Sequence, residues 1–223
     1  MINITGLSVG VACTLIILLF VSNEMSYDDF HENSENIYKA TRHGKLGENQ
    51  FDYSFTPAPL AAALINEIPE VAKAIRFRGS GSWLVRSPEM EKNYKEYNLI
   101  YADSNVFDFF TFPLLEGDIK TALNAPNKIA ISKKSADKYF PNQSALNQIL
   151  ILDGKETFNV SAVYEDMPAN SHINYDFMMS MATIPGQAGR TSFVSNNFYT
   201  YFSLRADADP NEVERKINDM VKG

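Results

Sequence analysis

From Ile4 to Val21 the chain reads ITGLSVGVACTLIILLFV, an apolar stretch with no charged residue. A helix of about 20 apolar residues spans a bilayer, and this stretch is close to that minimum. Three roles compete for it. A helix in the core of a soluble protein would normally keep a polar face, and Thr14–Val21 has none. A cleaved secretion signal would open with Lys or Arg and close on small residues. Here no basic residue precedes Ile4, and the stretch runs out through Phe20, Val21, Ser22 and Asn23. The reading is therefore a transmembrane helix over residues 1–23, in contact with lipid through residues 4–21. The first basic residue beyond it is Lys39, whereas Glu24, Asp28, Asp29 and Glu32 follow at once. The absence of Lys/Arg on that flank allows the downstream side to be the outer one. Gly6 and Gly10 make a small-xxx-small pair against which a second helix could pack; two ordinary membrane-helix glycines explain them equally well.

The chain has 223 residues and a formal charge of −7, all of it beyond Asn23. An acidic body without a Lys/Arg cluster gives no footing to nucleic acid or to an anionic membrane surface. Its apolar content is enough for a packed core, which excludes disorder. The lone cysteine, Cys13, lies inside the apolar stretch, so no disulfide forms within the chain.

Beyond the membrane helix, Asp28–Asn36 reads as a short polar helix and Ile37–His43 as a strand, with Gly44 and Gly47 marking a turn. Gln50–Thr56 alternates again, with Phe51, Tyr53 and Phe55 on one face. Pro57 and Pro59 open an apolar helix that stops at Pro69, and Val71–Arg78 returns to strand. Asn93–Tyr101 reads as a strand. A short helix NVFDFF follows, capped by Asp103 or Ser104, and then an irregular segment TFPLLEGD. Lys128–Ile131 is a short strand, and Ser132 caps the helix KKSADKYF. Gln148–Leu152 and Thr157–Tyr164 flank Asp153-Gly154 as a β-hairpin. Glu165–Ser171 is a loop, Ile173–Met181 a strand, Thr183–Ser195 a polar loop and Phe198–Arg205 a strand with one set of residues pointing outward. Asp209-Pro210 starts a helix whose apolar side carries Val213, Ile217, Met220 and Val221. The order suggests an α+β sandwich with helices on one face of a sheet.

Chemistry is sparse. His31, His43 and His172 lie far apart in sequence with no second His or Cys at helical spacing, so no zinc site is expected. No nucleophile elbow is present, and Gly79-Ser80-Gly81 lacks the Lys-Ser/Thr of a phosphate loop. Asp28/Asp29, Glu91 and Glu165/Asp166 read as solvated charge. No catalytic residue, metal or cofactor is expected. Phe107, Phe109, Phe110 and Phe112 crowd one short stretch. They are either a core plug or an exposed patch that meets a partner protein; the patch is the candidate site.

Four segments carry a resemblance to a known family: INITGLSVGVACTLIILLFVSNEMSYDDFHENSENIYKA (Ile2–Ala40), ADSNVFDFFTFPLLEGDIKTAL (Ala102–Leu123), KIAISKKSADKYFPNQSALNQIL (Lys128–Leu150) and FNVSAVYEDMPANSHINYDFMMS (Phe158–Ser180). In content, order and spacing the chain resembles the MacB/FtsX-like permeases of ABC transporters, in particular their MacB-like periplasmic core domain as it occurs in Bacteroidetes-type proteins. The first and last segments are the most specific.

The resemblance implies a permease with four membrane helices in the bacterial inner membrane. This domain follows the first of them and faces the periplasm. It implies two lobes: a porter-like βαβ lobe, here residues 24–91 and 175–223, and an inserted smaller mixed α/β lobe, residues 92–174. The inserted lobe is expected to be a separate compact unit, and one sheet running through both would reject that. Implied partners are a cytoplasmic ABC ATPase subunit, a second permease chain in a homodimer or heterodimer and, in some members, a periplasmic adaptor with an outer-membrane channel. The chain lacks the basic stretch expected before the first helix and ends at Gly223 before any second one, as a fragment would. It has no ATP-binding motif, so ATP hydrolysis must come from a partner. The expected function is coupling of that hydrolysis to conformational change in the periplasm, for efflux or mechanotransmission. The rival readings are a membrane-anchored small-ligand sensor domain and a tethered hydrolase, for which no nucleophile or metal constellation is found.

Overall fold

A computed structural model describes residues 2–46 and 49–222. The apolar stretch forms α1 (Ile2–Met25), and every side chain from Ile4 to Met25 is exposed. It is long and apolar enough to cross a membrane, and none of it is buried in the protein. A core-helix role is thereby excluded. Two of its hydroxyls bond within the helix: Ser8 Oγ donates to the Ile4 carbonyl and Thr14 Oγ1 to that of Gly10, each at 2.9 Å. Such self-contained bonding is what hydrocarbon demands.

Residues 26–36 leave α1 as turns ending in a 3-10 turn at Ser34–Asn36, not as the expected polar helix. The reason is local: Asp28 and Asn33 take left-handed backbone angles, φ 62° and 60°, which right-handed helix cannot contain. β1 (Ile37–Lys39) ends short of the expected His43; β2 (Arg42–Leu46) and β3 (Asn49–Tyr53) then form a separate two-stranded antiparallel sheet. Gly44 lies inside β2 and not at a turn, and Gly47 falls outside the described residues. β4 (Thr56–Pro57), α2 (Leu60–Glu67) and β5 (Val71–Gly79) follow the proline signals. After β6 (Trp83–Arg86), the strand expected over Asn93–Tyr101 is two: β7 (Tyr94–Glu96) at a sheet edge and β8 (Leu99–Ala102) at its centre.

α3 (Val106–Phe109) is a single turn that starts from Asn105 without a side-chain cap. Asp103 is occupied elsewhere, gripping Arg76. The segment expected to be irregular contains β9 (Leu114–Gly117). β10 (Lys128–Ser132) leads into α4 (Lys133–Tyr139), whose first turn is capped as expected, Ser132 Oγ accepting the Ser135 N–H at 3.3 Å. β11 (Ile149–Leu152) and β12 (Glu156–Tyr164) make the expected hairpin. Asp153 and Gly154 take positive φ, 48° and 70°, and the Lys155 N–H donates to the Leu152 carbonyl at 3.1 Å. β13 (Phe177–Ser180), α5 (Pro185–Ala188), β14 (Asn196–Leu204) and α6 (Pro210–Lys222) complete the chain.

Ten strands form one hydrogen-bonded path in the order β1-β14-β5-β8-β13-β10-β12-β11-β6-β7, with β4 attached to β14 and β9 to β12. β10 pairs with β12, and β8 with β13, in parallel; the other pairings are antiparallel. The sheet does not break at either expected lobe boundary. β5 pairs with β8 across one, and β13 pairs with both β8 and β10 across the other. The expectation that residues 92–174 form a separate compact unit is therefore corrected. The physical cause is that β8, β10 and β13 are apolar on both faces, which drives them to the middle of a covered sheet.

Alternation along those strands builds two cores. Leu99, Tyr101, Ile129, Ile131, Phe177 and Met179 face α4. Ile100, Ala102, Ala130 and Met178 face α3 and its phenylalanines. A third cluster joins α2 and α6 to β5 and β14 through Leu60, Leu64, Ala74, Phe202, Leu204 and Val213. Neither side of β14 points outward as expected: Phe202 packs under the helices while Tyr201 packs in the opposite core. On α6, Val213, Ile217 and Met220 face that third cluster, whereas Val221 is exposed.

Candidate functional site: the joint between the membrane helix and the body

The four phenylalanines are not a surface patch. Phe107, Phe109, Phe110 and Phe112 are 5%, 7%, 2% and 3% exposed, and all belong to one core cluster. Phe110 meets Tyr201 edge-on at 5.5 Å and lies 5.9 Å from Phe77; Phe107 lies 5.9 Å from Tyr164. The one-turn α3 and the extended residues after it turn all four rings toward β5, β12 and β14. The partner-contact reading fails on burial, and the core reading holds.

That core has another consequence. It forms one wall of the seat on which the segment leaving α1 docks. Ser26 and Asp28 fasten one side. The Asn170 side-chain amide donates to the Ser26 carbonyl at 2.7 Å, and the Asp28 backbone N–H donates to the Asn170 carbonyl at 2.9 Å. The Asp28 carboxylate takes both the backbone N–H of His172, at 3.0 Å, and its ring Nδ1, at 2.5 Å. His172 Nε2 then meets the Tyr201 hydroxyl at 2.9 Å, tying the pair to β14. Burial, more than the neighbouring tyrosine and Asp28, pushes the Tyr201 hydroxyl above its ordinary range, so it stays a neutral partner.

His31 fastens the other side. Its ring is 4% exposed and lies 4.1 Å from Phe30, 5.0 Å from Phe110 and 5.7 Å from Phe112. Nδ1 accepts the Thr111 N–H at 3.2 Å, and the Thr111 hydroxyl accepts the Glu32 N–H at 2.8 Å. Nε2 is buried without a partner. Desolvation pushes His31 down from 6.5 to about 4; Asp28 works against that and His172 with it. His31 is thus a neutral, buried imidazole.

Sequence reasoning treated His31 and His172 as isolated and Asp28 as solvated charge, and missed this constellation. The structure brings Asp28, His31 and His172 to one joint, while His43 pairs with Asp52 at 2.6 Å on the exposed β2–β3 hairpin. Asp29, Glu91 and Glu165 are exposed as expected, and Asp166 accepts the Lys134 N–H at 3.0 Å. The available signal was that three of the four segments carrying the resemblance, Ile2–Ala40, Ala102–Leu123 and Phe158–Ser180, contain the joint's residues. These are the three that meet here. Among the described residues, no group of three or more His, Cys, Asp or Glu is arranged to hold a metal ion. The joint's chemistry is adhesion through charge-assisted bonds and buried rings.

An apolar helix free of packing thus leads, through a clasped exit segment, into a mixed-sheet body. The chain belongs to the MacB-like periplasmic core domain family, whose model matches residues 1–220. It is the periplasmic domain of an ABC-type transporter permease with its N-terminal apolar helix. Three solved structures share the fold. A domain of a protein described as a permease from Porphyromonas gingivalis matches with a TM-score of 0.74 at 23% identity, over 84% of this chain and 80% of that one. The periplasmic region of MacB from Actinobacillus actinomycetemcomitans matches with a TM-score of 0.63 at 14% identity, over 90% and 86%. The extracellular domain of the noncanonic ABC-type transporter YknZ from Gram-positive bacteria matches with a TM-score of 0.57 at 16% identity, over 81% and 88%. No curated protein matches the chain.

Proposed function

We propose that this chain is the force-transmitting part of a permease in the bacterial inner membrane. Movement driven by a cytoplasmic ABC ATPase reaches α1 and passes through the joint into the periplasmic body. The observation that supports this is the asymmetry of α1. It is exposed along its length, yet the segment leaving it is held through Ser26 and Asp28 by Asn170 and His172, with Tyr201 behind, on one side and through His31 and Glu32 by Thr111 on the other. A helix so attached cannot shift or tilt without pulling the sheet with it. We read the end carrying α2 and α6, drawn from residues 24–91 and 175–223, as the porter-like lobe. A second permease chain completes the transporter, and a periplasmic adaptor with an outer-membrane channel is a further partner if the cycle ends in efflux. The family match favours this reading over the small-ligand sensor.

The test is biochemical. The permease co-expressed with its ABC ATPase should purify as a complex that hydrolyses ATP, while this chain alone should show no turnover. Hydrolysis by the chain alone, or a permease that retains no ATPase subunit, would refute the proposal.

A further inference from the structure

His31 is held in a setting that admits only its neutral form. The Thr111 N–H points at Nδ1, so that nitrogen must present a lone pair and the ring proton sits on Nε2. A second proton would set one N–H against another and place a cation in a pocket walled by Phe30, Phe110 and Phe112, with no acceptor at Nε2. The charged groups around it are few. Asp28 on the same segment is the nearby anion, and both of its oxygens are engaged by His172. From the 165–173 loop comes His172 itself, while Asp166 of that loop is turned to Lys134. From β14 comes Tyr201 behind His172, with Lys39 of β1 lying 5.7 Å over its ring. The stretch after α3 contributes phenyl rings and the backbone and hydroxyl of Thr111.

We propose that His31 makes the joint a proton-sensitive latch: neutral, it docks the exit segment of α1 on the body; protonated, it releases Thr111 and the aromatic seat. This rests on reading residues 26–33 as the coupling joint and adds a regulation to it. The sign follows from linkage. Undocked, His31 titrates at its ordinary 6.5; docked, it is pushed down to about 4. Docking is at full strength above about 6.5 and weakens as the pH falls, roughly tenfold per unit, until about 4. Between pH 7.5 and pH 5 the docking equilibrium should fall roughly thirty-fold.

Hydrogen exchange at the Thr111 and Glu32 amides reads docking directly, with the chain in lipid nanodiscs and rates corrected for intrinsic pH dependence. In the wild type, protection at both amides should drop roughly thirty-fold from pH 7.5 to pH 5. In His31→Asn, which keeps an acceptor but cannot charge, protection should not change with pH; in His172→Gln the drop should persist. A pH-independent wild type would overturn the proposal, as would a drop that survives in His31→Asn and vanishes in His172→Gln. Should the variants not fold, NMR of the wild-type imidazoles decides. His31 should be the Nε2–H tautomer at pH 7 and stay neutral in the docked state down to about pH 4; titration of the docked ring near 6.5 would overturn the latch. Exchange reads docking alone, so this result stands apart from whether ATP-driven movement passes through the joint.

Discussion

Asp28 performs two tasks that few residues combine. Its φ of 62° turns the chain out of α1, a conformation that Asp tolerates better than most side chains. Its carboxylate binds His172 through two contacts. Asp28→Ala removes the acceptor and leaves the His172 N–H groups without their partner, which costs on the order of 1–3 kcal/mol of local docking. Faster hydrogen exchange at residues 170–173 with little change in global Tm would show it; unchanged exchange would count against the clasp. Gly117 is constrained in a different way. With φ +97°, an added Cβ would lie 2.6 Å from the Ser161 carbonyl oxygen. Gly117→Ala should lower stability by about 2 kcal/mol or more, since both the backbone angle and the contact resist it. Urea denaturation measures it, and a neutral effect would mean that β9 does not sit on β12 as described. None of these couplings was visible in the sequence. A helix cap such as Ser132 announces itself within three residues, whereas Asp28 and His172 are linked across 144 positions.

Among the elements, those set by local rules were legible. The proline-opened α2, the Ser132-capped α4, the Asp153-Gly154 hairpin and the amphipathic α6 all follow from turn chemistry and periodicity over a few residues. Those set by distant partners were not. β9 is a strand because β12 offers it a partner, and the segment after α1 is a run of turns because the body offers it a seat. The Phe107–Phe112 cluster shows the same limit. Its composition fits a core and an interface alike, and only the surrounding β5, β12 and β14 decide. The difference in burial predicts a difference in cost. Phe110→Ala should destabilise the body by about 3–5 kcal/mol, whereas Phe51→Ala on the exposed hairpin should stay within about 0.5 kcal/mol. Comparable effects in chemical denaturation would contradict the burial assignment.

At the scale of the whole molecule, the continuous sheet matters more than the lobes that were expected. Two cores lie on opposite faces of the same strands, and the third shares β5 and β14 with them. A push delivered at the joint therefore enters one body. Calorimetry of residues 26–222 should show one cooperative transition; two well-separated transitions would mean that the sheet is mechanically divided. The central claim is that ATP-driven movement passes through the clasp around Asp28. Its most direct measurement is the spin–spin distance between labels on the two periplasmic bodies of the assembled permease, with and without ATP. The wild type should show an ATP-dependent change in that distance. In Asp28→Ala/Asn170→Ala the change should be lost while ATP hydrolysis continues. A double variant whose bodies still follow the ATPase as the wild type does would contradict the account.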